Sequence, residues 1–266
     1  MWNSKDRLLI RTEQQTDYRR VEEITRAAFS YPERVERGGI GCPYEHWMVH
    51  TLRERDGIPE LSLVAELNNY IVGHIICSHS EVRTTDNIIP VLNFGPLSVL
   101  PAFQRKGVGK ALIMHMIQKA AELGYGAILF FGRPEYYPQF GFKEASVWQI
   151  SDANGCNYPA FMGMELILGY LSNAKGGKYY ESDIYDDERN RMQVKAFDNL
   201  YFASLDNMES TEEINSVKNT SKSAKDTALE VLSFAQEKRE GQRFSYLFEP
   251  LKRHGGRLIW LYNIRN

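Results

Sequence analysis

The chain has 266 residues, 43% hydrophobic and 25% charged, with 32 Lys and Arg against 34 Asp and Glu for a formal net charge of -2. That is enough apolar material for a sizeable core in one large or two small domains, which excludes wholesale disorder. A near-neutral chain has no overall field drawing it onto phosphate backbones or anionic lipid, so neither a nucleic-acid partner nor a membrane is expected.

The opening Met1-Trp2-Asn3-Ser4-Lys5-Asp6-Arg7 lacks the basic-then-apolar order of a secretion signal, and a cytoplasmic protein is expected. Its longest uncharged stretch, Asn87 to Gln104, is broken by Pro90, Pro96 and Pro101, too often for a spanning helix. Cys42, Cys77 and Cys156 are odd in number and far apart, which supports neither a disulfide framework nor a metal site.

In chain order, Arg7 to Thr12 alternates as a short strand, and Val21, Ile24, Ala28 and Phe29 recur at helical spacing in Tyr18 to Phe29. A second helix is predicted from Tyr44 to Arg55. Leu61 to Leu67 and Tyr70 to Val82 read as a hairpin turned at Asn68-Asn69. Val91 to Leu100 is a strand carrying Gly95-Pro96, where a flexible residue and a missing amide predict a bulge or a splayed edge. Val108 to Leu123 keeps the 3.6-residue period and stops before Gly124, and Ala127 to Phe131 is a short buried strand, completing a βαβ unit.

Glu135 to Phe140 reads as a brief turn or helix, and Phe142 to Ile150 and Ala160 to Leu168 as closing strands. Beyond Gly169 the aromatics Tyr179, Tyr180, Tyr185, Phe197, Tyr201 and Phe202 could dock an extension running to residue 205. Residues 206–226 are almost entirely polar and read as a linker. Residues 227–266 read as a small helix-strand element whose role the sequence does not assign, and its Lys252-Arg253-His254-Gly255-Gly256-Arg257 cluster as a solvated turn.

The chemistry-bearing motif is Gln104-Arg105-Lys106-Gly107-Val108-Gly109-Lys110-Ala111, between a strand and an amphipathic helix. Unsatisfied amides at such a helix start, with the positive end of the helix dipole, wrap a pyrophosphate when glycines let it approach. Arg105, Lys106 and Lys110 add positive charge. A Walker loop is excluded by Gln104 and Ala111 where Gly and Ser or Thr are needed, and a Rossmann fingerprint by Leu112 where its third small residue belongs.

The QxxGxG pattern after a strand with a central Gly-Pro resembles the GNAT superfamily of acyl-CoA N-acyltransferases. The blocks Ser62 to Glu66, Ile71 to Ile75, Gly95 to Val99 and Tyr136-Tyr137-Pro138-Gln139-Phe140-Gly141-Phe142 resemble, in that order, a bacterial subgroup of predicted acetyltransferases. The resemblance covers about residues 5 to 168. It implies an α/β fold of the GNAT type, with a central, mostly antiparallel, splayed sheet flanked by helices over residues 1–168, plus the C-terminal extension.

It also implies acetyl-CoA as cosubstrate, its pyrophosphate on the amides from Arg105 to Ala111 and its pantetheine arm beside Leu97, Ser98 and Val99 like an added strand. A backbone NH near Leu97 would polarise the thioester oxygen. Tyr137 stands where the family carries the general acid that protonates the leaving thiolate. One family feature is missing: where many relatives carry an Asn after the strand that follows the phosphate-binding helix, this chain reads Phe131-Gly132-Arg133-Pro134.

A base must take the amine proton, and residues 91 to 99 contain no acid. Glu45, His46, His50, His74, His79 and Glu81 are the candidates, with His79 and Glu81, on one face of one strand, preferred. Cys77, between Ile76 and Ser78, reads as a small buried hydrophobe rather than a nucleophile, which favours direct transfer in a ternary complex. The acceptor would be the primary amine of a small molecule or peptide, bound by the first two helices, the loop from Ser30 to Cys42 and the segment after Ser151. The resemblance is compatible with a homodimer. The alternative reading is a non-catalytic acyl-CoA sensor or partner-binding module.

Overall fold

The computed structural model describes residues 8–30 and 43–209. Most of the expected pocket loop, the linker beyond residue 209, the terminal helix-strand element and its basic cluster lie outside the described residues.

Strand β1 (Leu8–Thr12) leads into helix α1 (Tyr18–Phe29), and α2 (Pro43–Glu54) precedes the long strands β2 (Gly57–Leu67) and β3 (Tyr70–Arg83). Asn68 and Asn69 turn that hairpin with φ of 49° and 67°, the left-handed pair that a tight hairpin requires. Strand β4 (Ile88–Val99), helix α3 (Val108–Glu122) and strand β5 (Ala127–Phe131) follow, then β6 (Lys143–Glu144), β7 (Ser151–Asp152), β8 (Phe161–Glu165) and β9 (Lys178–Tyr180). The sheet runs β1-β2-β3-β4-β5-β8-β6, with β9 pairing both β3 and β7. It is antiparallel except at β4–β5 and β7–β9.

The helices cover opposite faces because strand side chains alternate. Val108, Leu112, Met116 and Ala120 of α3 pack on Leu63, Ala65, Ile75 and Cys77, while Val21 and Ile24 of α1 and Val49 of α2 pack on Val64 and Ile71. A Cβ at Gly73 would stand 3.0 Å from Val108 and 3.1 Å from Leu112, so glycine there lets α3 settle close to β3.

The stretch from Phe142 to Ile150 is not the strand expected. It forms only β6, followed by a 3-10 turn at Ala145–Trp148 that ends on Gln149 at φ 57°. Phe142, Ala145 and Ile150 are its buried apolar side chains, at intervals of three and five that no two-residue alternation can bury on one face, and Val147 is exposed.

The segment after Gly169 returns to the sheet, with Tyr179 of β9 opposite Val82 and its buried hydroxyl donating to the Leu129 carbonyl at 2.9 Å. The first compact unit runs through Arg189, and α4 (Arg191–Glu209) belongs to a second unit. The expected extension to residue 205 therefore divides within itself, and α4 carries regular helix four residues into the expected linker.

Candidate functional site

The sheet opens between β4 and β5. These parallel strands share one paired position, Leu92 with Ile128, after which β5 continues with β8 as far as Phe131 opposite Phe161. Among the described residues β4 continues only with β3, Leu97 opposite Ile75 and Val99 opposite Gly73. The irregularity expected at Gly95-Pro96 lies at this divergence, where the register with β3 shifts between Ile75 and Cys77 and Gly95 takes φ 142°.

Below it the edge has a defined sense. The Leu100 amide donates to the Val72 carbonyl at 2.9 Å, so strand alternation turns the backbone groups of Ser98 toward β3 and those of Leu97 and Val99 into the opening. The Gln104 side chain donates to the outward Val99 carbonyl at 3.0 Å and ties the following turn to this edge. The Ser98 hydroxyl lies on the other face, donating to Thr25 Oγ1 at 2.9 Å, so Leu97 and Val99, not Ser98, face the opening.

The turn from Gln104 to Gly107 is exposed and holds two left-handed residues, Arg105 at φ 59° and Gly107, the cap of α3, at φ 91°. The Ala111 amide bonds the Gly107 carbonyl at 2.9 Å, which leaves the amides of Val108, Gly109 and Lys110 without intrahelical acceptors. The Val108 side chain is buried in the core, so only its amide serves the turn. The Lys106 ammonium lies 5.6 Å from the Phe103 ring centroid. At Gly109 a Cβ would stand 3.6 Å from Tyr136 Oη, 3.7 Å from Val99 Cγ2 and 3.9 Å from Leu97 Cδ2. The helix start, the Leu97 and Val99 side chains of β4 and the Tyr136 phenol thus converge at Gly109, which places no side chain between them.

Tyr137 begins the 3-10 turn Tyr137–Phe140. Its ring lies edge-on to Phe130 of β5 at 4.7 Å and to Phe94 of β4 at 5.7 Å, with Phe142 at 6.0 Å, so it bridges the two strands where they separate. Burial, then Tyr136, pushes the Tyr137 phenol above its ordinary pKa and keeps it protonated at neutral pH. A Cβ at Gly132 would collide with the Phe130 and Tyr137 rings, so glycine there gives the Tyr137 ring its place.

The candidate bases lie elsewhere. His79 is exposed, opposite Leu92, with its ring 6.4 Å from Tyr125. Glu81 lies opposite Pro90 and pairs with Arg83. Both sit toward the far end of β3, His79 one residue beyond Ser78, the cross-strand partner of Asn93. Burial, then Arg26, lowers His46 to about 3, and His50 pairs with Glu22 at 3.2 Å. His74 is fully buried with Nε2 3.0 Å from Ser62 Oγ, and burial lowers its pKa. The buried Cys77 thiol is pushed up by desolvation, out of nucleophile range at neutral pH. Among the described residues no group of three or more His, Cys, Asp or Glu could hold a metal ion, and no helix is long and apolar enough to cross a membrane.

Three residues escaped the sequence reasoning. Asn93 of β4, 2% exposed, donates from Nδ2 to Glu181 Oε2 at 3.0 Å, and Tyr185 Oη lies 3.2 Å from the Gly95 carbonyl and 2.9 Å from Ser78 Oγ. Contacts spanning about ninety residues leave no local pattern to read.

Residues 18–142 match the family model described as the Acetyltransferase (GNAT) family. The uncharacterized N-acetyltransferase YjhQ of Escherichia coli is 31% identical over 110 residues, covering 41% of this chain and 61% of that protein. The uncharacterized N-acetyltransferase YhbS of the same organism is 27% identical over 140 residues, covering 52% and 75%. In fold, the chain is similar to the E. coli YhbS structure in complex with CoA, with a TM-score of 0.58 and 22% identity over 70% of this chain and 95% of that one. It is also similar to a Brucella melitensis GNAT acetyltransferase in complex with acetyl-CoA, with a TM-score of 0.51 and 24% identity over 68% and 99%.

Proposed function

We propose that the protein is an N-acetyltransferase that moves an acetyl group from acetyl-CoA to a primary amine by direct transfer. The observation that carries this reading is the convergence at Gly109, which we read as a channel for the cosubstrate: the outward backbone of Leu97 and Val99 leads to the amides at the start of α3, and Gly109 places no side chain between them. Such an edge accepts the amide-containing pantetheine arm as an added strand, and the helix start accepts its pyrophosphate. That one relative was solved with CoA and another with acetyl-CoA supports the same ligand class here.

In this reading the Leu97 amide stabilises charge developing on the thioester oxygen, and Tyr137 supplies the proton for the departing thiolate. The buried thiol of Cys77 argues against an acyl-enzyme on that residue. The test is calorimetric titration with acetyl-CoA alongside a thiol-release assay with primary amines. Micromolar binding with amine-dependent thiol release is expected; binding without release to any amine would leave an acyl-CoA sensor, and absence of binding by the folded protein would refute the reading.

A further inference from the structure

The acetyl-transfer reading puts the reacting carbonyl near the divergence at Gly95, with the donor on the α3 side, where the side chains of Leu97, Val99 and Tyr136 face Gly109. The opposite face of β4 is then the side free of the donor. Asn93 and Gly95 are two residues apart, roughly 7 Å along a strand, and both are tied there by the segment 181–185, through Glu181 and Tyr185. That segment is anchored in turn by the Ser182 hydroxyl on Asp56, by Asp183 on Arg55 at 2.7 Å and by Tyr44 of α2, whose hydroxyl donates to the Ile184 carbonyl. Glu181 is thus a half-buried carboxylate held against β4 beside the divergence, by a chain segment outside the residues that match the family.

Resting on that reading, we propose that the acceptor, a primary alkylammonium, approaches β4 over this face, and that Glu181 is the catalytic base that takes its proton while Asn93 positions the carboxylate. Carboxylates outnumber guanidinium groups here: Glu181, Asp183, Asp186, Asp187, Asp56 and Glu45 stand against Arg55 and Arg189, which both pair with Asp183. In the step, the ammonium gives one proton to Glu181 and the freed nitrogen pair forms the C–N bond to the acetyl carbonyl. The C–S bond breaks, sulfur keeps its electron pair and takes the Tyr137 proton, and the amide nitrogen sheds its second proton to solvent. Exchange with water resets both side chains, for a net release of one proton per transfer.

The test compares the full-length wild type with Glu181→Gln and Glu181→Asp, using tyramine, spermidine and Nα-acetyl-lysine amide as probes. Acetyl-CoA affinity by calorimetry should stay within about twofold, because Glu181 lies on the other face from the donor. Transfer at pH 7 should fall about 100-fold or more in Glu181→Gln and less in Glu181→Asp, the usual scale for losing a positioned base. The Glu181→Gln rate should recover as pH rises and the amine deprotonates in solution, which a merely structural role would not produce. A Glu181→Gln rate within about threefold of wild type, or a loss equal at every pH, would overturn the assignment. So would a wild type that binds acetyl-CoA yet acetylates none of the three cations. Failure to bind acetyl-CoA would instead remove the transfer reading beneath it.

Discussion

Replacing Gly109 by alanine separates the channel's function from its part in the fold, because the two should move in opposite directions. The new methyl would meet Tyr136 Oη at 3.6 Å, Val99 at 3.7 Å and Leu97 at 3.9 Å, all ordinary van der Waals separations, so the apo protein accommodates it. Gly109 has no positive φ and lies in the first turn of α3, where Gly→Ala stabilises by up to about 1 kcal/mol. For a protein of this size that raises Tm by up to about 3 °C. The same methyl narrows the passage that the cosubstrate has to fill. Overpacking of that kind costs about 1–3 kcal/mol, or roughly a 5- to 150-fold loss of acetyl-CoA affinity. Gly107→Ala is the counterpart: nothing lies within 4 Å of its Cβ, yet φ 91° makes any L side chain strained, so it should lose about 1–2 kcal/mol of stability as well as affinity. Differential scanning fluorimetry and calorimetric titration read both quantities. A Gly109→Ala protein that melts no lower than wild type and still binds acetyl-CoA equally well would refute the channel.

Tyr137→Phe keeps the ring among Phe94, Phe130 and Phe142 and removes only the hydroxyl, so kcat should fall about 100-fold with acetyl-CoA affinity unchanged; equal turnover would sink its role as acid. Gly132→Ala should displace the Tyr137 ring and cost about 1–3 kcal/mol, giving a lower Tm together with lower kcat, and a variant with neither change would show that the ring needs no such clearance. Glu13, with a 2% exposed side chain, accepts from Arg53 at 2.6 Å and from Ser62 at 2.6 Å. Burial alone would raise its carboxyl, but His74 and Arg53 hold it at about 2 against an ordinary 4.5. A depressed folded-state pKa contributes stability above pH 4.5 that is lost as pH falls toward 2. The urea midpoint should therefore drop between pH 6 and pH 3, and Glu13→Gln should show a smaller drop; equal slopes would assign the acid sensitivity to other groups.

What could be read from the sequence follows how local each determinant is. The Asn68-Asn69 turn was legible because two adjacent residues that tolerate left-handed backbone leave few other conformations, and α3 because five of its core residues keep one helical stripe. The turn into α3 was legible from glycine spacing within a few residues. Phe142 to Ile150 was misread because β propensity carries no information about a turn imposed by where Phe142 and Ile150 must be buried. The bond from Glu181 to Asn93 joins residues 88 apart across a three-residue strand, and neither spacing nor composition encodes such a partner.

The irregularity at Gly95 has consequences on both faces of β4. Toward α3 it coincides with the departure of β5, which leaves the Leu97 and Val99 backbone without a strand partner on that side among the described residues. On the other face the Gly95 carbonyl accepts from Tyr185, and Asn93 reaches Glu181. The family-matched residues 18–142 hold the whole proposed donor side, including Tyr137 and the turn, whereas the proposed acceptor side is completed from residues 181–185. If the proposed assignments hold, substitutions in 181–185 should change which amine is used and how fast, and leave acetyl-CoA affinity where it was. Substitutions at Gly107 and Gly109 should do the reverse. A change at Tyr185 that altered acetyl-CoA affinity as much as amine turnover would show that the two faces are not separable, because among the described residues its hydroxyl bonds to the shared Gly95 carbonyl and to Ser78.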